Sequence, residues 1–193
     1  MIRPLALLAV PALAACGGAG QGERVEQQAP AHISAAPVAG CGAGAEPIFH
    51  CTVADGRELS VCAVAGRGGV LEARYSFGRG TAKLVLPTPS GPPPRFATVL
   101  YSGGGEAQIA FDDGDWRHVV FSRMVRTNFA PGEPNYPAIR DGLVVLRGGR
   151  FAQMHMCEGG ATDLPIQYDA AGRAMTREDE LFTEETARAD AGG

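Results

Sequence analysis

Lysine is almost missing from this chain: of 17 basic residues, Lys83 is the one lysine. The arginines are scattered rather than clustered, and the net charge is −4, so there is no electrostatic footprint for nucleic acid. We read the shortage of lysine as a coding bias toward arginine. The sequence also lacks a P-loop and a dinucleotide fingerprint. It has no C-x-x-C zinc knuckle and no EF-hand spacing. A G-x-S-x-G elbow is absent too, because Leu100 stands where the first glycine belongs. No Ser, His and Asp fall on recognisable triad segments. These absences point away from an enzyme, a resident cofactor and a metal centre. Nor does any apolar run approach the roughly 20 residues that cross a bilayer as a helix.

What is present begins at the N-terminus. Arg3 is followed by a short apolar run, Leu5 to Ala14, and then small residues, the pattern of a secretory signal over residues 1–15. Leu13-Ala14-Ala15-Cys16 resembles the lipobox of bacterial lipoproteins. The resemblance implies cleavage before Cys16 once its sulfur carries a diacylglyceryl group, and so a membrane anchor through lipid. Gly17 follows where an Asp would imply inner-membrane retention in proteobacteria, so the resemblance points to the outer membrane, facing periplasm or surface. Two or more acyl chains make such an anchor stable.

Residues 16–46 are rich in Gly, Ala, Gln and Pro, too poor in apolar groups to offset the entropy of ordering, and read as a disordered tether. Four further cysteines remain in an exported chain: Cys41, Cys51, Cys62 and Cys157, an even number that reads as two disulfides. If Asp55-Gly56 is a two-residue turn, Cys51 faces Ser60 and Cys62 faces Phe49, making the two cysteines diagonal neighbours at roughly 7–8 Å. That is beyond comfortable bridging. The expected pairs are therefore Cys51–Cys157, joining the first and last strands, and Cys41–Cys62.

From residue 47 to 158 the pattern is short runs of period two broken by Gly, Asp and Pro. Leu71 to Phe77 alternates apolar at odd positions and polar at even ones. Runs at 48–53, 59–64, 81–86, 96–101, 106–111, 115–121, 142–146 and 151–157 complete eight or nine strands without a credible helix between them. The fold class is all-β, a small antiparallel barrel or sandwich. Residues 159–193 turn polar and read as an acidic, disordered tail, with Thr176 to Phe182 as a possible short helix start.

Met154-His155-Met156-Cys157 has donors that suit Cu(I), but period two sends the methionines to one face and His155 with Cys157 to the other. Asp112-Asp113-Gly114-Asp115 reads as a hairpin turn. Trp116, just after that turn, is a candidate binding aromatic.

The lipobox, the hairpin Cys51 to Cys62, the run Ala73-Arg74-Tyr75-Ser76-Phe77-Gly78 and the late Cys157 together resemble small bacterial lipoproteins with a compact all-β domain. That domain is similar in plan to the membrane-bound inhibitors of C-type lysozyme. The inhibitors carry a Ser-Gly-x-x-Tyr loop whose serine enters the lysozyme active site. Here Ser102-Gly103 is followed by Gly104-Gly105-Glu106, without the tyrosine. The resemblance implies a protein partner, lysozyme or another envelope or host protein; the candidate contact residues are Ser102, Gly103 and Glu106, together with Trp116 from its place after the turn. The loops Pro87–Arg95, Ser102–Glu106 and Asn128–Arg140 are expected to meet it from one end of the domain. The competing expectation is an envelope protein with a metal-binding or enzymatic site.

Overall fold

A computed structural model describes residues 40–191, apart from Phe129, Glu133 and Asn135. The expected signal peptide, Cys16 and most of the expected tether lie outside the described residues. The described chain is a two-sheet sandwich. One sheet has the order β1 (Glu46–Thr52), β2 (Glu58–Ala65), β3 (Leu71–Arg79) and β4 (Ala82–Leu86). The other runs β10 (Thr176–Glu178), β5 (Arg95–Tyr101), β6 (Gly104–Asp113), β7 (Trp116–Arg126), β8 (Pro137–Arg147) and β9 (Arg150–Met156). All described pairings are antiparallel except β10 with β5. Of the two expected architectures, the sandwich is the one formed; among the described residues the sheets do not close into a barrel.

Period two selects the core. Phe49, Cys51, Leu59, Val61, Ala73 and Tyr75 from the first sheet meet Ile109, Phe111, Val120, Leu143 and Val145 from the second. Each fully buried large side chain contributes about 1.5–3 kcal/mol through removal from water. Both expected disulfides are present, Cys41–Cys62 and Cys51–Cys157. The second ties β1, an edge of one sheet, to the residue after β9, an edge of the other. Val53 pairs with Cys157 at the same place.

The register behind that pairing differs from the expectation. The β1–β2 connection is a three-residue loop, so Cys51 faces Leu59 and not Ser60. A two-residue type I′ turn needs positive φ at both central residues, and no described non-glycine adopts it. Gly56 alone does, at φ 78°, while the Asp55 carboxylate accepts the Arg57 N–H at 3.0 Å. A one-residue slip exchanges faces. Cys51 points into the core, and Cys62 lies on the opposite face with Ser60 and His50.

The stretch 159–191 is not a disordered tail. Residues 158–167 run along the outer edge of β1, where His50 exchanges hydrogen bonds with Leu164 (3.0 and 2.7 Å) and Gln167 donates to Ile48 (2.8 Å). α1 (Tyr168–Ala174) then sets Ala170 and Ala171 against the core, joined by Ile166 and Met175. Thr176 to Glu178 forms a strand and not the start of a helix. Beyond it, Phe182 and a 3-10 helix over Glu185–Ala191 cover the outer face of the second sheet at Ala110, Val119, Phe121, Val144 and Leu146. Composition missed this because the segment has few large apolar groups. It is held by hydrogen bonds from distant residues.

Candidate functional site

The β5–β6 connection is a two-residue turn, Ser102-Gly103, closed by the pair Tyr101–Gly104. Gly103 supplies the positive φ, 91°. Gly104 and Gly105, read from sequence as loop, belong to β6. A Cβ on Gly104 would lie 1.9 Å from the Met124 carbonyl oxygen, so β7 can approach only a glycine there. Ser102 and Gly103 are exposed.

On the core-facing side of the sheet, the side chains at this end are exposed. One ladder row runs Leu100–Gly105–Met124–Ile139. Leu100 is 90% exposed, Met124 45% and Ile139 61%. Directly paired residues share a face, so the three side chains form a ledge spanning roughly 14 Å across the strands. Gly105 leaves a dent in the row, bordered by the Leu100 side chain. Tyr136, also exposed, stands in the neighbouring β7–β8 connection. That connection is shorter than read from sequence, since β8 already starts at Pro137. A proline is tolerated there because it is the first residue of the strand.

The other face of the same strands carries a buried polar network. The Glu106 carboxylate is enclosed: it accepts from Tyr101 Oη (2.7 Å), Gln108 Nε2 (2.6 Å) and Arg123 Nη1 (2.7 Å). Arg123 also pairs with Asp190 at 2.8 Å. Gln108 holds the C-terminal segment by donating to the Thr183 carbonyl (2.8 Å) and accepting from the N–H groups of Phe182 (2.9 Å) and Thr183 (3.2 Å). Burial, together with the hydrogen bond to Glu106, pushes the Tyr101 phenol up to about 12. Burial works against the Arg123 charge, but its bonds to Asp190 and Glu106 outweigh it and raise its pKa. A cleft of about 750 Å³ lies beside this network, lined by Tyr101, Ser102, Gly103, Arg123 and Glu180. Each charge in the network has a partner, two carboxylates sharing the one Arg123 guanidinium, and the arrangement ties the C-terminal segment to the sheet. Glu106, expected as a contact residue, has no open side for a partner.

Trp116 is elsewhere. It begins β7, at the opposite end of the β6–β7 pair and roughly 30 Å from Ser102 by strand rise. It is 37% exposed, with the Arg147 guanidinium 5.1 Å from its ring centre. The proline-rich segment 87–94 enters β5 at Arg95, opposite Ala110, toward this far end. The three loops expected at one end are therefore divided between two.

Each histidine has its own hydrogen-bond partners. His50 shares a hydrogen bond with Ser60 Oγ (3.0 Å), His118 with Tyr75 Oη (3.3 Å), and His155 with Arg57 (3.1 Å) and Gln153 (3.2 Å). Burial lowers the pKa of all three, helped at His155 by Arg57. The Met154–Cys157 run divides by face: both methionines pack on the outer cluster, His155 lies tilted against Phe77 with ring centres 5.0 Å apart, and Cys157 is in its disulfide. Asp112 is held by Arg117 (2.6 Å) and Arg95 (3.1 Å). Among the described residues, no three of His, Cys, Asp and Glu converge as a metal-binding set. Behind the ledge, Asp141 bonds to Ser122 while its Oδ1 has no hydrogen-bond partner among the described residues. Burial raises its pKa.

No protein-family model, curated protein or solved structure matches the chain. The ledge itself was hidden from sequence reading. Met124 lies past the 115–121 run and Ile139 inside the expected loop 128–140, so the ladder register, and not the local pattern, sets them beside Leu100.

Proposed function

We propose that this chain is an exported, lipid-anchored binding protein whose sandwich docks a protein partner, without turnover, on the Leu100–Met124–Ile139 ledge. The observation that carries this reading is the exposed apolar row itself. Contiguous apolar surface is seldom left in solvent on a monomer unless something binds there. The exposed Ser102-Gly103 turn and exposed Tyr136 flank the row and extend it. C-type lysozyme is the first partner to test, from the resemblance of the domain's plan. The net charge of −4 favours fast encounter with a basic protein.

Two experiments test it. Purified protein in excess should inhibit C-type lysozyme, and L100S with I139S should weaken inhibition at least about tenfold, equivalent to 1.4 kcal/mol. W116A, at the far end, should leave it unchanged. No inhibition by the intact protein at micromolar concentration removes lysozyme, and inhibition unaffected by the ledge substitutions removes the ledge. For the anchor, Cys16→Ser should give an unprocessed precursor in the aqueous phase of a detergent partition, because the thioether needs sulfur. A C16S protein that still enters the detergent phase would contradict lipid attachment at this residue.

A further inference from the structure

Residues 158–167 form a strap that leaves the end of β9 and follows the edge of β1. Glu158 N–H donates to the Thr52 carbonyl (2.9 Å), Leu164 exchanges two hydrogen bonds with His50, and Gln167 N–H donates to Ile48. The Asp163 carboxylate accepts from the N–H groups of Gly159 and Gly160 (3.0 Å each) and of Thr52 (3.3 Å). All of these bonds stay within the strap or go to the first sheet. The strap meets the second sheet at Ile166, whose N–H donates to Ser122 Oγ at 3.0 Å.

Ser122 pairs directly with Asp141, so the two side chains share the core-facing side of their sheet. A serine hydroxyl has one proton to give. Ser122 Oγ accepts from the strap and donates to the Asp141 carboxyl, which links Ile166, Ser122 and Asp141 in one chain. The other carboxyl oxygen, Oδ1, is buried with no hydrogen-bond partner among the described residues. A negative charge placed there lacks the donors that would stabilise it. Burial, and then the Asp163 carboxylate on the strap, raise the Asp141 pKa, and the Ser122 bond opposes them without prevailing. The other charged side chains beside Asp141 are Glu158 and Arg140, which line a cleft of about 470 Å³ with it. Both are exposed, and the Arg140 guanidinium donates to the Ile139 carbonyl at 3.1 Å. His50 is influenced from the strap by Asp163.

We propose that Asp141 is a proton-operated latch on the strap: as the neutral acid it lets residues 158–166 lie closed against the second sheet, and as the anion it loosens them. The ionised carboxyl gains by opening in two ways, since water reaches Oδ1 and Asp163 moves off. The sign follows from linkage. A carboxyl whose pKa is raised by folding stabilises the closed form fully below its unfolded value, about 3.9 for Asp. That stabilisation is lost as pH rises through the folded value. The strap is therefore tightest in acid. Opening stays local, because the Cys51–Cys157 bridge pins the chain just before the strap and Ala170 and Ala171 of α1 hold it in the core just after. What it uncovers is the outer main chain of β1 at Ile48 and His50. The latch does not rest on the ledge or on its partner.

The test follows amide exchange at Leu164 and Ile166 by NMR from about pH 3 to about pH 7, in the mature chain in detergent micelles, with the intrinsic pH dependence of exchange divided out. Opening should rise at least about threefold across this range, along a single titration. The side-chain carboxyl carbon of Asp141 should titrate with the same midpoint, above about 3.9. Amides of Val119 and Val144, inside the second sheet, should show no such trend. D141N, neutral and of the same shape, should keep the strap at its acid-state opening throughout. The proposal fails if Asp141 titrates at or below about 3.9, if opening does not rise with pH, or if the rise persists in D141N. Should D141N not fold, the two midpoints in the unaltered chain decide: agreement supports the latch, and disagreement overturns it.

Discussion

Replacing Cys51 and Cys157 together by alanine lowers the unfolding free energy by about 4 kcal/mol. The bridge closes a loop with a sequence separation of 106 residues, against 21 for Cys41–Cys62. In the chain-entropy account, a longer loop costs the unfolded state more freedom, and native disulfides are worth about 2–5 kcal/mol. The Cys41–Cys62 pair, treated likewise, should lose roughly 3 kcal/mol. The location adds to the difference. Cys51 is fully buried in the main core, and its bridge joins the two sheets along one side of the sandwich, whereas Cys41 is only partly buried on the outer face. Denaturant titration of both double variants checks the order. If the Cys41–Cys62 variant is the less stable of the two, loop length does not govern these bridges.

Glu106→Ala lowers stability by about 3 kcal/mol, the low end of what breaking a buried ion pair costs. Arg123 keeps Asp190, which is why the low end applies, but Tyr101 and Gln108 both lose an acceptor. Gln108 in turn holds the main chain at Phe182 and Thr183, so the loss should reach the C-terminal segment. Limited trypsin digestion should then cut at Arg188 before the sandwich unfolds. E106Q keeps an acceptor oxygen in place and should cost less than half as much. An E106A protein within about 1 kcal/mol of the parent, with Arg188 still protected, would show that the network does not hold the segment.

Much of the sandwich was readable because strands that bury one face must alternate. Leu71 to Phe77 shows this plainly: Ala73, Tyr75 and Phe77 are in the core, while Glu72 and Arg74 are exposed. The Asp55-Gly56 hairpin was located correctly, but its loop length was not. Dipeptide composition does not say whether one or both residues take positive φ, and the extra residue changed which face Cys62 occupies. The disulfide partners were nevertheless right, because the first and last strands of the nine do meet. Of the expected contact residues, Ser102 and Gly103 lie at the exposed turn. Glu106 is buried beneath it, and Trp116 is at the other end.

The C-terminal segment and the ledge mark the boundary of what local pattern determines. By itself the sequence determined the strand positions, the all-β class, the two-disulfide framework and the candidate lipid signal, since each depends on residues close together or on counting. Tertiary structure alone decided that residues 159–191 pack on the sandwich and that Leu100, Met124 and Ile139 face solvent. The physical reason is the same in each case. Burial and hydrogen-bond satisfaction depend on what lies across a gap of tens of residues: Gln108 meets Thr183, and Ile166 meets Ser122. A side chain's period tells which way it points, and only the completed fold tells what it meets there.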